Sequence, residues 1–159
     1  MQVAATSSAY DRVLSLCQVT GKELDRRFRT SGPGALPAGP VTGAVILLPA
    51  TPLAKPIAHL VRALAWRGKR FDAERGELVN SILLFRINAV RAKVLQGQSW
   101  FDGRPCTVLD YSQTSLVAPM VRDEIRELEP GLWLGLAYMW HTRVARFALA
   151  GEVVAAPDG

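Results

Sequence analysis

Two kinds of hydrophobic pattern divide the chain. From Ser7 or Ser8, both good N-cap residues, apolar positions recur at helical spacing as far as Phe28, with a break near Gly21. The stretch SGPGALPAGP then ends the helical pattern, because its glycines and prolines do not continue a helix. The pattern predicts an N-terminal helical segment over residues 1–31 and a Gly/Pro linker over residues 32–40.

The rest of the chain is typical of β-strands. Val41 to Leu48 is apolar and rich in β-branched residues, and a short helix is predicted to start near Pro52. From Ala65 onward, strand-like runs follow one another with turns such as Asp102-Gly103 and Pro130-Gly131 between them. The runs are Ala65–Phe71, Leu78–Phe85, Ala89–Leu95, Cys106–Tyr111, Val121–Leu128, Leu132–Met139 and Val144–Leu149.

Successive strands without intervening helices predict a sequentially paired antiparallel sheet, which hides its edges best by closing into a barrel. The run VRDEIREL alternates, with Val121, Asp123 and Ile125 on one face and arginines on the other. LWLGLAYMW is apolar on both faces, so we expect the barrel interior on one side and a helix or a partner subunit on the other. The predicted fold class is α+β: N-terminal helices, an antiparallel meander β-barrel over residues 41–151, and a tail over residues 152–159.

Composition and charge narrow the function classes. A chain of 159 residues fits one domain, and 49% hydrophobic residues with a mean hydropathy of +0.13 indicate an apolar interior or an apolar cavity. The net charge is +5, with a local excess at Lys22, Arg26, Arg27 and Arg29. Because no basic stripe interleaved with exposed aromatic residues and no nucleic-acid module is found, we interpret this excess as a solvated helix face and predict no nucleic-acid partner.

Cysteine and histidine usage predicts no metal site and no cofactor. Cys17 and Cys106 lack paired metal-ligand spacing and are too few for a disulfide scaffold, so buried reduced thiols and a cytoplasmic location are expected. His59 and His141 are the only histidines, and their positions do not suggest a shared metal. No signal peptide is expected, and the longest apolar run, Val45 to Leu53, is too short to span a membrane.

Two segments resemble a known protein family. LPAGPVTG followed by AWRGKRF is similar to the GXWXG module, with matches at Trp66, Gly68 and Lys69 but Gly43-Ala44-Val45 in place of its glycine-tryptophan element. TVLDYSQTSLVAPMVRDEIRELEPGLWLGLAYMW followed by RFAL is similar to the domain of unknown function that accompanies it. Together they cover about residues 36–149. The strands also resemble the lipocalin or calycin class of small barrels, which implies an apolar ligand inside the barrel and, in some members, a reaction such as cyclisation.

The candidate site residues each have a structural alternative. Trp66 and Lys69 are expected to close the barrel base, with a cation stacked on the ring. Tyr111 is a candidate acid, whereas Asp110 could pair with Arg122 or Arg126, either to hold an acidic ligand or merely as a surface ion pair. The full candidate set is Tyr111, Asp110 and Asn80 as catalytic residues and Trp66, Lys69, Arg122, Arg126, Trp133 and Tyr138 as ligand-binding residues.

Three functional hypotheses follow. The first is a barrel that binds a hydrophobic small molecule, because apolar strands are present without a complete catalytic motif. The second is an enzyme that isomerises or cyclises a hydrophobic substrate by positioning it, with Tyr111, Asp110 and Asn80 as the polar groups. The third is a homodimeric interaction module that pairs through LWLGLAYMW. Alternation along the strand places Leu109 and Tyr111 opposite Asp110, so at most one of Asp110 and Tyr111 should face a cavity, and we expect it to be Tyr111.

Overall fold

The computed structural model describes residues 2–47, 66–72, 77–82, 87–110 and 121–153. Two helices come first, α1 (Gln2–Cys17) and α2 (Gly21–Thr30). The Thr20 hydroxyl accepts a hydrogen bond from the Glu23 backbone N–H at 3.3 Å, which caps the start of α2. Helix α1 begins earlier than the predicted caps at Ser7 and Ser8. The helix predicted from Pro52 lies outside the described residues.

Eight strands form one closed antiparallel barrel in sequence order. The barrel closes because the first strand pairs with the last as well as with the second. The strands are β1 (Pro37–Leu47), β2 (Trp66–Asp72), β3 (Glu77–Ile82), β4 (Ile87–Gln98), β5 (Pro105–Asp110), β6 (Val121–Glu129), β7 (Leu132–Met139) and β8 (Thr142–Val153). The predicted antiparallel meander with N-terminal helices is confirmed.

Buried apolar side chains form one cluster on each side of the barrel wall. The interior cluster consists of Val41, Leu109, Ile125, Trp133, Phe147 and Leu149. On the outer side, Val13 and Leu16 of α1 and Leu24 and Phe28 of α2 pack against β7 and β8. The β7 residues in this outer cluster are Leu132, Leu134, Leu136 and Tyr138. Strand β7 is therefore apolar on both faces because the interior contacts one face and the two helices cover the other.

The absence of a side chain at Gly135 lets the Phe147 ring contact the inner face of β7. Gly135 pairs with Phe147 across β7 and β8, and a Cβ at position 135 would overlap the Phe147 ring. Phe147 itself is 2% exposed. This part of the interior is therefore a packed core.

One end of the barrel is crossed by the segment between α2 and β1. The Trp133 indole N–H donates to the Ala35 carbonyl at 2.8 Å, and the Ala35 N–H donates to the Glu127 carboxylate at 2.7 Å. Gly34 has φ +67° and lies so close to Glu127 that a Cβ would overlap its side chain. Gly34 and Ala35 of the predicted Gly/Pro linker are thus held against the barrel by side chains of β6 and β7, whereas residues 37–40 of that linker belong to β1.

The connection between β4 and β5 differs from the expected two-residue hairpin. Gln98 pairs with Pro105, so Asp102-Gly103 lies inside a longer connection, residues 99–104, with Gly103 at φ +71°. This connection folds back on the outer wall, because Glu124 of β6 accepts hydrogen bonds from the Ser99 hydroxyl at 2.5 Å and from the Trp100 N–H at 2.7 Å. The turn predicted at Pro130-Gly131 is present, with Gly131 at φ +75°.

Within the described residues, no helix is long and apolar enough to cross a membrane. The same part of the chain contains no group of three or more His, Cys, Asp or Glu side chains placed to hold a metal ion. Both cysteines are free thiols; Cys106 is buried and Cys17 is half-buried. Burial raises the pKa of the Cys106 thiol to about 12.

Candidate functional site

Among the polar residues on the inner face of β4, β5 and β6, three lie at neighbouring positions beside the interior cluster. Cross-strand partners in an antiparallel sheet project from the same face, so register fixes their side. Thr107 pairs with Ile125 and with Gln96, and Asp123 pairs with Leu109. Because Leu109 and Ile125 belong to the interior cluster, Gln96, Thr107 and Asp123 face the interior too. We call these three residues the inner polar strip.

Asp123 is the charged member of the strip. Asp123 pairs with Leu109 of β5 on one side and with Ala137 of β7 on the other, and it is only 6% exposed. Removing a carboxylate from water is costly unless hydrogen-bonding partners replace the water. A carboxylate on a mostly apolar inner wall is a candidate for contact with the polar group of a ligand.

The other two members form a hydrogen-bonded pair. The Gln96 amide donates to the Thr107 hydroxyl at 3.1 Å. Thr107 is fully buried, whereas Gln96 is exposed to solvent. Gln96 lies beyond the last register pair between β3 and β4, Glu77 with Lys93, so it marks the solvent-exposed rim of the inner face. The strip therefore combines a buried acid, a buried hydroxyl and a hydrated amide on adjacent strands.

The outer wall carries a different polar assembly, centred on Arg126. This fully buried guanidinium forms two 2.7 Å hydrogen bonds to the Asp102 carboxylate and a third, at 2.8 Å, to the Phe28 carbonyl in the last turn of α2. It also lies 4.3 Å from the Phe28 ring centroid. The Arg126 hydrogen bonds lower the pKa of Asp102. Arg126 thus joins α2, the 99–104 connection and β6.

Arg122 and Trp100 form a second group on this outer side. The Arg122 guanidinium donates to the buried Glu124 carboxylate at 2.9 Å and lies 4.3 Å from the Trp100 ring centroid. Trp100 also stacks on His141, with ring centroids 4.2 Å apart, and meets Tyr138 edge to face. Burial raises the pKa of the Tyr138 phenol to about 12. These contacts give the side chains structural roles.

Helix α2 is also tied to β8 by Asp25. Its carboxylate accepts hydrogen bonds from Arg146 at 2.8 Å and from Arg143 at 3.0 Å. Burial would raise the pKa of Asp25, but the two guanidinium groups outweigh it and the pKa is lowered. The arginine network of the outer wall comprises Arg29, Arg104, Arg122, Arg126, Arg143 and Arg146.

The structure separates the residues that the sequence suggested as one site. Trp133 lies in the interior cluster, while Arg122, Arg126 and Tyr138 lie on the outer wall. Asp110 pairs in register with Arg122 and Lys93, and so lies on the face opposite Leu109. Of its two predicted partners, Arg122 is the register neighbour, whereas Arg126 is bound to Asp102.

The remaining predicted residues are described only by backbone pairing or not at all. Lys69 is the register partner of Val41 and of Asn80, and Trp66 pairs with Ile82. The described tryptophan that lies at the crossed barrel end is Trp133, which the sequence suggested only as a ligand contact. Tyr111 lies outside the described residues, so the prediction that it faces the cavity remains a prediction.

The sequence patterns did not identify the inner polar strip as a site, although the alternation in one strand contains a sign of it. Alternation in VRDEIREL groups Asp123 with Val121 and Ile125, which places an acid on an apolar face. Thr107 and Gln96 carry no such signal, because their interior position follows from pairing with β6 and β5.

No protein-family model and no curated protein matches the sequence. A crystal structure of a protein from Thermomonospora curvata is similar in fold, with a TM-score of 0.58 at 13% identity over 90% of this chain and 95% of that one. The likeness supports a small antiparallel barrel-like fold, whereas the resemblance to the GXWXG module gains no support from family models.

Proposed function

We propose that this protein is a lipocalin-like barrel that binds a small, largely apolar molecule in its interior. The ligand class is an apolar molecule that carries at least one hydrogen-bond donor, such as an amine or a hydroxyl group. Asp123 accepts that hydrogen bond, and Thr107 and Gln96 contact the same polar end.

The inner polar strip is the observation that carries the proposal. Small-molecule sites are mostly apolar with a few placed polar groups that fix the ligand's orientation. The described inner wall has this composition, because Val94, Val121 and Ala137 surround the strip and pack on the interior cluster. The exposure of Gln96 favours a site that exchanges with solvent over a sealed core.

The outer-wall residues are less suited to this role. Arg122 and Arg126 are already bound to Glu124 and Asp102, so a ligand would have to displace hydrogen bonds of 2.7–2.9 Å. The apolar outer face of β7 is covered by the two helices, which removes the feature that suggested dimerisation.

Titration with N-phenyl-1-naphthylamine tests the proposal. This neutral apolar probe carries one N–H donor, and its fluorescence rises in an apolar site. We expect saturable binding to the native protein, and Asp123→Asn should weaken the affinity about tenfold, since a hydrogen bond to a charged group contributes about 1.5–3 kcal/mol. Asp11→Asn, at an exposed position of α1, is the matched control and should leave the affinity unchanged.

Two results would count against the proposal. Absence of saturable binding by the folded protein would remove the site. If Asp123→Asn lowers the free energy of unfolding in urea but keeps the native probe affinity, Asp123 is a structural carboxylate and not a ligand contact.

A further inference from the structure

The turn between β7 and β8 presents an unusual exposed tryptophan. Met139 pairs with Thr142, so Trp140 and His141 are the two central residues of a tight hairpin. Trp140 is 62% exposed. Because turns alternate between the two ends of a meander barrel, this turn lies at the end opposite the one crossed by Ala35 and Trp133.

The backbone of this turn is not one that its residues favour. Trp140 has φ +46° and His141 has φ +67°. A two-residue hairpin with both central residues at positive φ ordinarily uses Asn-Gly or Asp-Gly, and a bulky residue there is an outlier. A strained backbone that displays an exposed indole is a reason to look for function at that position.

The protein surface around the turn is rich in arginine. His141 stacks on Trp100, whose ring also contacts Arg122, and Arg143 follows in β8. The arginine network that begins here has six guanidinium groups against four carboxylates, the paired Asp25, Asp102 and Glu124 together with Asp110, the register partner of Arg122, a positive excess of two. Arg29 and Arg104 are both exposed, so part of this excess faces solvent.

We propose that the β7–β8 turn is a membrane-contact site that docks on an anionic lipid surface. Trp140 inserts at the level of the headgroups, and the arginine network attracts the negative leaflet. This inference does not depend on the proposed ligand.

Shape and stacking favour a lipid surface over other anionic partners. The turn is the tip of a two-residue hairpin and exposes the Trp140 indole, which suits insertion into a soft surface. Single-stranded nucleic acid needs aromatic faces on which successive bases stack. The Trp100 ring is already in contact with Arg122 and His141, so Trp140 alone would remain for that purpose.

Vesicle co-sedimentation of the full chain tests this site. We expect binding to phosphatidylcholine vesicles that contain phosphatidylserine, little binding to phosphatidylcholine alone, and weakening by added salt. Trp140→Asn should reduce binding about fivefold or more while the turn is kept, because asparagine tolerates positive φ. Arg29→Gln should weaken binding to the same vesicles, whereas Tyr10→Asn, an exposed aromatic on α1, should not.

Thermal unfolding of each variant shows that it is folded, and probe binding by Trp140→Asn should equal that of the native chain. Equal vesicle binding by native protein and Trp140→Asn would overturn the inference. The inference would also be overturned if the protein does not bind the vesicles but binds a single-stranded oligonucleotide or an acidic protein in a way that depends on Trp140.

Discussion

At the scale of single residues, the position of Arg126 explains how a charged side chain can be buried in this protein. Its guanidinium donates five hydrogen bonds: two to the Asp102 carboxylate and three to the carbonyls of Phe28, Arg104 and Pro105. Replacing one partner of such an assembly leaves the others without hydrogen bonds in a buried site. Sequence patterns did not indicate that Arg126 joins these groups, because Asp102 and Phe28 are distant from Arg126 along the chain.

We predict that Arg126→Met lowers the free energy of unfolding by about 3–5 kcal/mol, since Asp102 and three carbonyls lose their donor. Urea unfolding measures this loss. Arg26→Met, which removes an exposed pair with Glu23, is the matched control and should have no measurable effect. A loss below about 1 kcal/mol for Arg126→Met would show that the assembly is not stabilising.

Sequence patterns were most informative for residues whose face of the sheet can be assigned from the alternation of apolar and polar neighbours. Asp123 could be assigned to the apolar face of β6 from its neighbours alone. Thr107, Arg122 and Arg126 could not be assigned their partners, since these depend on the register between strands and on a folded-back connection.

At the scale of secondary-structure elements, Asp25 determines how α2 is attached to the barrel. Its carboxylate is shared by Arg143 and Arg146 of β8, and its side chain is only 17% exposed. The apolar contacts of Leu24 and Phe28 bury the same helix face. The helix is therefore fixed by ionic and apolar contacts together.

The Asp25 contacts should make stability depend on acid pH. Its pKa is lowered in the folded protein, so its contribution is complete above the unfolded-state value of about 3.9 and is lost as the pH falls through the folded-state pKa. We predict that Asp25→Asn costs about 1–3 kcal/mol at neutral pH, and that this difference shrinks below about pH 4.

Urea unfolding of the native protein and Asp25→Asn across this pH range measures the effect. Asp11→Asn on the exposed side of α1 controls for the general effect of removing one carboxylate. A difference that stays constant from neutral to acid pH would rule out the ionic contribution of Asp25.

The order and pairing of the strands could be predicted from the sequence better than the packing of the helices on them. The strands and their sequential pairing follow from turn signals and apolar runs within each segment. The packing of α1 and α2 on β7 and β8 was only one of two alternatives, because an apolar strand does not specify whether a helix or another subunit covers it.

At the scale of the whole molecule, the barrel separates two chemical environments. The outer wall holds the arginine network and the helices, whereas the buried residues described on the inner wall are apolar except for Thr107 and Asp123. An interior ligand and a lipid-facing turn would then occupy different parts of one barrel. Each can be altered by substitution without touching the other.

The central claim is that the ligand occupies the interior beside Asp123. Ala137 is the register partner of Asp123 and packs on the interior cluster, whereas Leu95 projects from the outer face and is 46% exposed. An added aromatic ring at Ala137 would fill the proposed site, while the same ring at Leu95 would extend into solvent.

The most direct measurement is the affinity for N-phenyl-1-naphthylamine of Ala137→Phe and Leu95→Phe, with folding of each variant established by thermal unfolding. If Ala137→Phe does not fold, Ala137→Leu fills less of the same space. We predict that the interior variant binds at least about tenfold more weakly than the native protein and that Leu95→Phe binds as the native protein does. Native affinity in a folded interior variant would contradict the account.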